Sequence, residues 1–373
     1  MKNITDCTDL RGKRVIVRAS LNIPLDKDGQ IRNAFRLKRA LPTLRYLHEQ
    51  GAKTIIIGHI GRKPEETLKP IFTALEKDFP IHWGGVITSD TFKERVGLIA
   101  EGGFLLAENL RQDEREEADD VEFATYMAQF GDVYVNDAFA EAHREHASLS
   151  ALAKLLPAYA GLNLLQEVQE LQKVMVPQHP SLFMLGGAKF ETKMPLVEKY
   201  LDVYDHVFIA GALANDVFKA LGYEVGQSLV SDVSIAGATF LQSEKLIIPV
   251  DVMVQGPDGV IRTCAPDAVR PDEKIYDCGP ATTALLATYI EKAATILWNG
   301  PFGNYEAGFK ESTETTMKHL AASNAFSVVG GGDTVAAIEE LGLNEKIGFV
   351  SIGGGAMLTY LEDGRTPVLD LLN

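Results

Sequence analysis

The sequence predicts an α/β protein with two doubly wound parallel-sheet (Rossmann-like) domains joined by a helix. Short runs rich in valine, isoleucine, leucine and phenylalanine alternate with longer segments of helical spacing, which is the pattern of β-α units that build a parallel sheet. The chain has 373 residues, more than one hydrophobic core usually organises, so two domains of ordinary size are expected.

The buried strands are expected at apolar runs that recur in both halves of the chain. In the first half these runs are RVIV at 14–17, TIII at 54–57, FLLA at 104–107 and VYV at 133–135. In the second half they are LFML at 182–185, VFI at 207–209, LIIPV at 246–250, TILW at 295–298, FSVV at 326–329 and FVSI at 349–352. Continuous apolar runs of this length are typical of strands that are buried on both faces.

A single helix is expected between the two halves. In the segment LNLLQEVQELQKVMVP, apolar residues fall at helical intervals from Leu162 to Met175, and Gly161 and Pro177 bracket the segment. We therefore expect a first domain at 1–161, a connecting helix at 162–177 and a second domain at 178–359. The alternative is an internal helix of one large domain, which the length of the chain disfavours.

Charge and cysteine content argue against several classes of protein. The formal net charge is −15, which disfavours a nucleic-acid or membrane partner. Three widely spaced cysteines form no CxxC pair, so neither a disulfide framework nor a zinc site is indicated. The N-terminus lacks a secretory signal, and no apolar run approaches the roughly 20 residues that span a bilayer, so we expect a cytoplasmic protein.

The residues that follow the first-half strands are mostly basic. Ligands of open parallel sheets bind beyond the carboxyl ends of the strands, so these residues indicate the ligand. Guanidinium groups match carboxylate and phosphate, and their recurrence predicts an anionic, phosphorylated small molecule, although any one arginine alone could be a solvated surface charge. A metal site at His143 and His146 is disfavoured because Arg144 would repel a cation. The full set is Arg18, Asn22, Arg36, His59, Arg62, Arg111, His143, Arg144 and His146.

Glycine-rich turns follow the second-half strands instead. Such a turn lets backbone N–H groups approach a phosphate, and the positive end of the helix dipole adds to the attraction. Tight packing of a helix on the sheet is a sufficient account of one such turn but a poor account of several. The turns contain Gly186-Gly187-Ala188-Lys189, Gly211-Ala212, Asn299-Gly300-Pro301, Gly330-Gly331-Gly332 and Gly353-Gly354-Gly355.

Asp333 lies directly behind one of these turns, in SVVGGGDTVAAIEELG. A carboxylate at the start of a helix is often only a cap, but beside a phosphate it would be repelled unless a cation such as Mg²⁺ lay between them. Lys189 and Lys193 could reach the same phosphates from one helical face. Neither a GxxxxGK(S/T) loop nor a GxGxxG turn with a correctly placed acidic residue is present. The residues alone therefore predict a phosphorylated metabolite on one domain and a Mg-nucleotide on the other.

The combination resembles the phosphoglycerate kinase family, and the resemblance runs in order along nearly the whole chain. GGGDT alone would be a weak signal, whereas a series of ordered pieces is specific. The pieces are RASLNIP at 18–24, GHIGR at 58–62, ENLR at 108–111, VNDAFAEAHREHAS at 135–148, GGAKFETK at 186–193, NGPFGNYE at 299–306, VVGGGDT at 328–334 and GGGA at 353–356.

The resemblance implies reversible, Mg²⁺-dependent phosphoryl transfer from 1,3-bisphosphoglycerate to ADP, which gives 3-phosphoglycerate and ATP in glycolysis. It implies a phosphotransferase with a carboxyl group as acceptor that closes by hinge bending. We expect a monomer, since nothing in the sequence demands more. The C-terminal tail at 360–373 is expected to fold back on the first domain.

The resemblance also implies roles for individual residues, among them Asp333 as the Mg²⁺ ligand and Glu306 at the ribose. The catalytic residues are Arg36, Lys189, Gly332 and Gly355. The substrate-binding residues are Ser20, Leu21, Asn22, Arg36, His59, Ile60, Gly61, Arg62, Arg111 and Arg144. The nucleotide-binding residues are Lys193, Gly279, Glu306, Gly331, Gly332, Asp333 and Thr334.

Three motifs depart from the family pattern. RxDFN is Arg18-Ala19-Ser20-Leu21-Asn22 here, so Ser20 replaces an aspartate expected to bind the glycerate hydroxyl, which we expect to weaken binding several-fold. Ala210-Gly211-Ala212 replaces a triple glycine near the adenine, and Asn304-Tyr305 replaces Val-Phe before Glu306. Two rival hypotheses are a non-catalytic relative that only binds phosphorylated ligands and a nicotinamide-dependent dehydrogenase, which the missing GxGxxG turn disfavours.

Overall fold

The computed structural model describes residues 1–32, 34–188 and 193–372, and its architecture confirms the predicted α/β class. Two six-stranded parallel sheets are present, one in each of two compact units. The first unit is Met1–Gln169 together with the segment from Asp363 onward, and the second is Glu170–Glu362. The boundary between the units falls inside the helix Leu162–Met175.

Six parallel strands form the sheet of the first unit. They are β1 (Arg14–Ala19), β2 (Lys53–Ile57), β3 (Ile81–Gly85), β4 (Phe104–Ala107), β5 (Val133–Asp137) and β6 (Ala158–Ala160). Their order is β3-β4-β2-β1-β5-β6, and the four strands predicted in the first half are confirmed. The other two lie outside the predicted runs because β3 ends in two glycines and β6 has only three residues.

Hydrophobic clusters cover both faces of this sheet. Val15 and Val17 of β1 belong to one cluster, and Ile16 between them belongs to the other. Successive side chains of a strand point to opposite faces, so this alternation buries the sheet on both sides, as a doubly wound fold requires. The helices of this unit are α1 (Phe35–Glu49), α2 (Lys69–Leu75), α3 (Asp90–Gly97) and α4 (Val121–Ala128), with α12 (Pro367–Asp370) near the C-terminus.

The strands of the second unit form a parallel sheet and a smaller antiparallel one. In chain order they are β7 (Ser181–Leu185), β8 (His206–Ile209), β9 (Leu246–Ile247), β10 (Val252–Gln255), β11 (Ile261–Cys264), β12 (Lys274–Cys278), β13 (Thr295–Asn299), β14 (Phe326–Gly330) and β15 (Phe349–Val350). The parallel order is β15-β14-β13-β7-β8-β9. The predicted LIIPV strand is shortened to β9 because Pro249 has no N–H to donate to a ladder.

The antiparallel sheet has the order β11-β10-β12 and lies outside the predicted runs. Strands β10 and β11 alternate between more and less buried residues, a pattern that the search for continuous apolar runs passes over. A tight turn joins β10 to β11, in which the Gly256 N–H donates to the Val260 carbonyl at 3.1 Å. Gly259 in this turn has a φ of +79°, and a Cβ there would meet nothing within 4 Å.

The helices of the second unit follow its strands, as β-α units require. They are α6 (Met194–Val203), α7 (Ala212–Ala220), α8 (Pro280–Lys292), α9 (Glu311–Ala322), α10 (Gly332–Glu340) and α11 (Gly355–Asp363). Helices α7 and α10 begin at the glycine turns after β8 and β14, and this places backbone N–H groups at the carboxyl edge of the sheet.

The helix at the unit boundary, α5 (Leu162–Met175), begins at the predicted residue and ends two residues before Pro177. Its first turn is capped by Asp137 at the end of β5, whose Oδ1 accepts from the N–H groups of Asn163 at 2.9 Å and Leu164 at 3.2 Å. A Cβ at Gly161 would lie 2.2 Å from the same Oδ1, so only glycine lets this carboxylate reach the helix.

The C-terminal segment pairs with the start of the chain. The Lys2 N–H donates to the Leu372 carbonyl at 2.7 Å, and Thr366 caps α12. Tyr360, where the returning tail is expected to begin, still belongs to α11 of the second unit. Among the residues that the structure describes, none of the helices combines the length and the apolar character that crossing a bilayer demands.

Candidate active site

The carboxyl edge of the first sheet carries a buried network of charged groups centred on Arg18. Arg18 has no exposed surface, so it cannot meet a ligand from solvent in the way that the basic set suggests. Its Nε donates to Ser148 Oγ at 2.9 Å, its Nη1 donates to the Ala19 carbonyl at 2.6 Å, and its Nη2 lies 2.9 Å from His59 Nδ1. Arg18 therefore positions its neighbours.

His59 is held neutral in this network. Its side chain is 2% exposed, and burial, followed by the positive charges of Arg18, Arg111 and Arg144, lowers its pKa to about 2. Because Nδ1 faces a guanidinium donor, it accepts, and the ring hydrogen is on Nε2. His59 is consequently available to donate one hydrogen bond from Nε2 to an anion.

Two buried carboxylates balance these cations, and neither is among the predicted site residues. Glu116 is 1% exposed and accepts from Ser148, from Oγ to Oε1 at 2.6 Å and from the N–H to Oε2 at 3.0 Å. Burial raises the pKa of Glu116, and Arg18 opposes that rise. Glu141 is 3% exposed, and its Oε1 accepts from Ser20 Oγ at 3.3 Å. The sequence held one indication of such a carboxylate. Ser20 replaces the aspartate of the RxDFN motif, so Arg18 lacks the carboxylate expected near it.

The GHIGR loop is fixed by backbone hydrogen bonds. Gly61 N–H donates to Asn22 Oδ1 at 2.9 Å, and the Arg111 guanidinium donates to the Gly61 carbonyl. Gly61 has a φ of +64°, a backbone conformation that favours glycine, and the Glu66 carboxylate occupies the space that a Cβ would take. The structure thus brings together three of the predicted substrate-binding residues.

The remaining predicted residues of the first unit differ in exposure. Arg62 is exposed, whereas Arg36, in the first turn of α1, and Arg144 are half-buried. The side chains of Leu21 and Ile60 belong to the hydrophobic core, so only their main chains could contact a ligand.

The second unit has a cavity of about 670 Å³ at the carboxyl ends of its parallel strands. Its walls combine the predicted glycine turns with apolar side chains that sequence reasoning missed, because these come from separate loops. Gly211 has a φ of +66°, and its Cβ would lie 2.7 Å from the Gly187 nitrogen. The lining includes Gly187, Ala188, Gly211, Ala212, Phe218, Leu229, Val252, Tyr276, Pro301, Glu306 and Asp333.

The turn after β14 brings main-chain groups and a carboxylate to this cavity. Gly331 is the N-cap of α10 with a φ of +102°, and Gly332 and Asp333 form its first turn. Thr334 is fully buried, and its Oγ1 has no hydrogen-bond partner among the described residues. Burial, and then the charge of Glu306, raises the pKa of Asp333. A carboxylate beside a second carboxylate at a phosphate-binding turn suits a divalent cation.

Three further predicted residues lie around the same edge, and one falls outside the described ranges. Lys193 is 8% exposed and its Nζ donates to the Gly186 carbonyl at 2.5 Å. Gly279 is the N-cap of α8, next to Cys278 of the cavity wall, and Gly355 begins α11. Lys189 lies in 189–192, outside the described residues.

Groups that suit phosphate lie at the carboxyl edge of each sheet, as charged side chains in the first unit and as main-chain groups in the second, and such groups on two parallel sheets are typical of an α/β phosphotransferase. The family model for phosphoglycerate kinase matches residues 4–364. The chain belongs to the phosphoglycerate kinase family, as the resemblance in its sequence predicts.

Relatives and solved structures agree along the full length. The chain is 38% identical to the phosphoglycerate kinase of Herpetosiphon aurantiacus over 97% of this chain and 96% of that protein, and 37% identical to that of Sinorhizobium fredii over 100% and 98%. The phosphoglycerate kinase structure from Coxiella burnetii matches with a TM-score of 0.82 at 35% identity, covering 99% of this chain and 98% of that one. The structure from Pyrococcus horikoshii matches with a TM-score of 0.86 at 29% identity, covering 100% and 98%.

The family settles the reaction class. Phosphoglycerate kinases are ATP-generating kinases of glycolysis, so the predicted transfer between 1,3-bisphosphoglycerate and ADP, with a carboxyl group as acceptor in reverse, is confirmed. The dehydrogenase hypothesis is wrong.

Proposed function

We propose that the first unit binds the phosphoglycerate and the second binds Mg-ADP or Mg-ATP. The observation that carries this division is the contrast between a cationic edge around a neutral His59 and a glycine-lined cavity with apolar walls. Arginines suit a small substrate with two anionic ends, and an apolar slot beside phosphate-binding turns suits a nucleotide.

In the first unit, the proposed contacts come from side chains and from main chain. Arg36, Arg62, Arg111 and Arg144 supply charge for carboxylate and phosphate, and His59 donates from Nε2. Asn22 and Ser20 supply polar groups at the end of β1. Leu21, Ile60 and Gly61 contribute main-chain groups only, since the first two side chains are buried in the core.

In the second unit, the proposed base site lies between the apolar walls of the cavity and the glycine turns. Ala212 lines the cavity, whereas Ala210 is fully buried, so only one of the two added methyl groups faces the base. Glu306 is assigned to the ribose. The N–H groups of Gly331, Gly332, Asp333 and Thr334, with Lys193 and the start of α8 at Gly279, are assigned to the phosphates.

Asp333 is the residue proposed to hold Mg²⁺, which, when bound, neutralises phosphate oxygens. Lys189, Arg36 and the N–H groups of Gly332 and Gly355 are proposed to stabilise the transferring phosphoryl group, since this reaction depends on positioning and charge rather than on a nucleophilic side chain. Because the substrates are assigned to different units, transfer requires hinge bending. A cytoplasmic monomer is proposed on the grounds that the family is glycolytic and no second chain is needed.

The division of labour is tested by Arg62→Ala with Arg11→Ala as control. Both variants remove one exposed arginine from the first unit, but Arg11 precedes β1 and pairs with Glu101, away from the carboxyl edge. In a coupled assay of ATP formation run with and without Mg²⁺, Arg62→Ala is expected to raise the KM for 1,3-bisphosphoglycerate about tenfold and leave the KM for ADP nearly unchanged. Equal changes for both substrates, or an effect of Arg11→Ala, would contradict the assignment.

A further inference from the structure

The loss of the RxDFN aspartate leaves a carboxylate missing from the end of β1, and the structure supplies one from the 3-10 helix that follows β5. Ser20, which stands in that position, is 2% exposed. Its Oγ donates to Oε1 of Glu141 at 3.3 Å, across 121 positions of sequence. Glu141 closes the short 3-10 helix Phe139–Glu141 that follows β5, and β5 is the direct neighbour of β1 in the sheet.

Glu141 has only part of its hydrogen-bonding capacity filled. Its residue is 3% exposed, and Oε2 is buried without a hydrogen-bond partner among the described residues. Oε1 lies 3.9 Å from His59 Nδ1, but that nitrogen accepts from Arg18 and so has no hydrogen to give. An unfilled oxygen on a buried carboxylate is costly, which indicates that a donor from outside the chain completes it.

The place of this oxygen is the substrate site. Glu141 acts electrostatically on Arg111, and its carbonyl accepts from the Arg144 N–H at 2.9 Å. Both arginines are proposed substrate ligands. A ligand donor that reaches a carboxylate among them must itself be neutral, because the surrounding cations already bind the anionic ends. A hydroxyl group meets this requirement.

We propose that Glu141 is the specificity-determining residue that accepts the C2 hydroxyl of phosphoglycerate through Oε2, with Ser20 as its positioning residue. The carboxylate has moved from the residue that follows β1 to the 3-10 helix that follows the neighbouring strand β5, and the hydroxyl side chain of Ser20 has taken its former place. This inference rests on the proposed assignment of phosphoglycerate to the first unit. It replaces the expectation that Ser20 itself binds the hydroxyl and that binding is weakened as a result.

The test compares two ligands of equal charge, 3-phosphoglycerate and its 2-deoxy analogue, by calorimetric titration. Charge effects cancel in the ratio of the two dissociation constants, so the ratio reports the hydroxyl contact. The unaltered protein is expected to prefer 3-phosphoglycerate by about tenfold or more, and Glu141→Gln by about threefold or less, since a charged acceptor is stronger than a neutral one.

Glu116→Gln is the matched control. It removes the same charge from a carboxylate in the same network, but both Glu116 oxygens are already filled by Ser148. Its ratio is expected to equal that of the unaltered protein. The double variant Ser20→Asp, Glu141→Gln returns the carboxylate to the end of β1 and is expected to restore the preference.

Ser20→Ala keeps the proposal falsifiable if Glu141→Gln does not fold, because it removes only the donor to Oε1 and is expected to lower the ratio two- to fivefold. An unchanged ratio of the two dissociation constants in Glu141→Gln would overturn the proposal. If only Ser20→Ala can be measured, an unchanged ratio in that variant would overturn it. A drop in Glu116→Gln equal to that in Glu141→Gln would also overturn it. If the unaltered protein binds 3-phosphoglycerate and Arg62→Ala does not weaken that binding, the proposed function fails independently of Glu141.

Discussion

The carboxyl edges of the two parallel sheets, where we propose that phosphate groups bind, are built in opposite ways. In the first unit, this edge is built from polar and charged side chains that are almost fully buried, namely Arg18, the neutral His59, Glu116 and Glu141. In the second, it depends on places where side chains are absent, such as Gly211 and Gly331. The first site is therefore sensitive to the removal of atoms, and the second is sensitive to their addition.

The largest expected effect is from Arg18→Met, which breaks the buried network of the first unit. Glu116 and Ser148 would keep their contact but lose the charge that offsets burial, and removal of one partner from a buried charge network costs about 3–5 kcal/mol of unfolding free energy. Urea denaturation measures this loss. The control Arg14→Met removes an exposed pair with Asp132, 2.9 Å between Nη2 and Oδ1, and is expected to cost less than about 1 kcal/mol. Similar losses in both variants would mean that burial is unimportant here.

Gly211→Ala is the corresponding change in the second unit. Its Cβ would come within 2.7 Å of the Gly187 nitrogen, in a backbone conformation with φ +66° and ψ −151° that disfavours side chains. We expect a loss of about 2–4 kcal/mol from strain and overlap, together with weaker ADP binding and unchanged 3-phosphoglycerate binding. Gly222→Ala, at φ +86° with nothing within 4 Å, isolates the strain and is expected to cost about 1–2 kcal/mol without affecting ADP. Identical ADP titrations for the two variants would contradict the close approach of Gly211 to the Gly187 backbone.

The smallest of these effects is the pH dependence that His59 gives to the stability of the first unit. Its pKa is lowered from 6.5 to about 2, so between these values the unfolded chain binds more protons than the folded one. The contribution of neutral His59 to the free energy of unfolding is therefore fully present above pH 6.5 and decreases as the pH falls. At pH 5 the loss is about 2 kcal/mol. His59→Gln is expected to show a shallower decline between pH 8 and pH 5 in urea titrations. A decline as steep as in the unaltered protein would show that His59 is not the group responsible.

The sequence predicts the buried strands better than it predicts the buried charged residues. The predicted run at 104–107 is the strand β4 with the same bounds, because a short, uninterrupted apolar segment between polar ones is typical of a buried strand. The antiparallel sheet escaped prediction because its strands are only half-buried.

The buried carboxylates were hidden for a different reason. Glu116 lies in DEREEADD, which is typical of a solvated surface, and becomes a core residue only through Ser148, 32 positions away. Glu141 likewise acquires its role only when β5 is placed beside β1. Composition and local spacing do not encode which distant cation a carboxylate meets, so the residues that hold this site together were visible only in the fold.

The turn between β10 and β11 is a suitable place to insert a reporter peptide. Gly259 at its tip faces open space, and the neighbouring Val260 is 61% exposed. The entropy of closing a loop grows only with the logarithm of its length, so a short reporter peptide inserted after Gly259 would disturb the hairpin by less than about 1 kcal/mol for each doubling of the turn. A fluorophore carried there would mark the second unit without occupying either binding site.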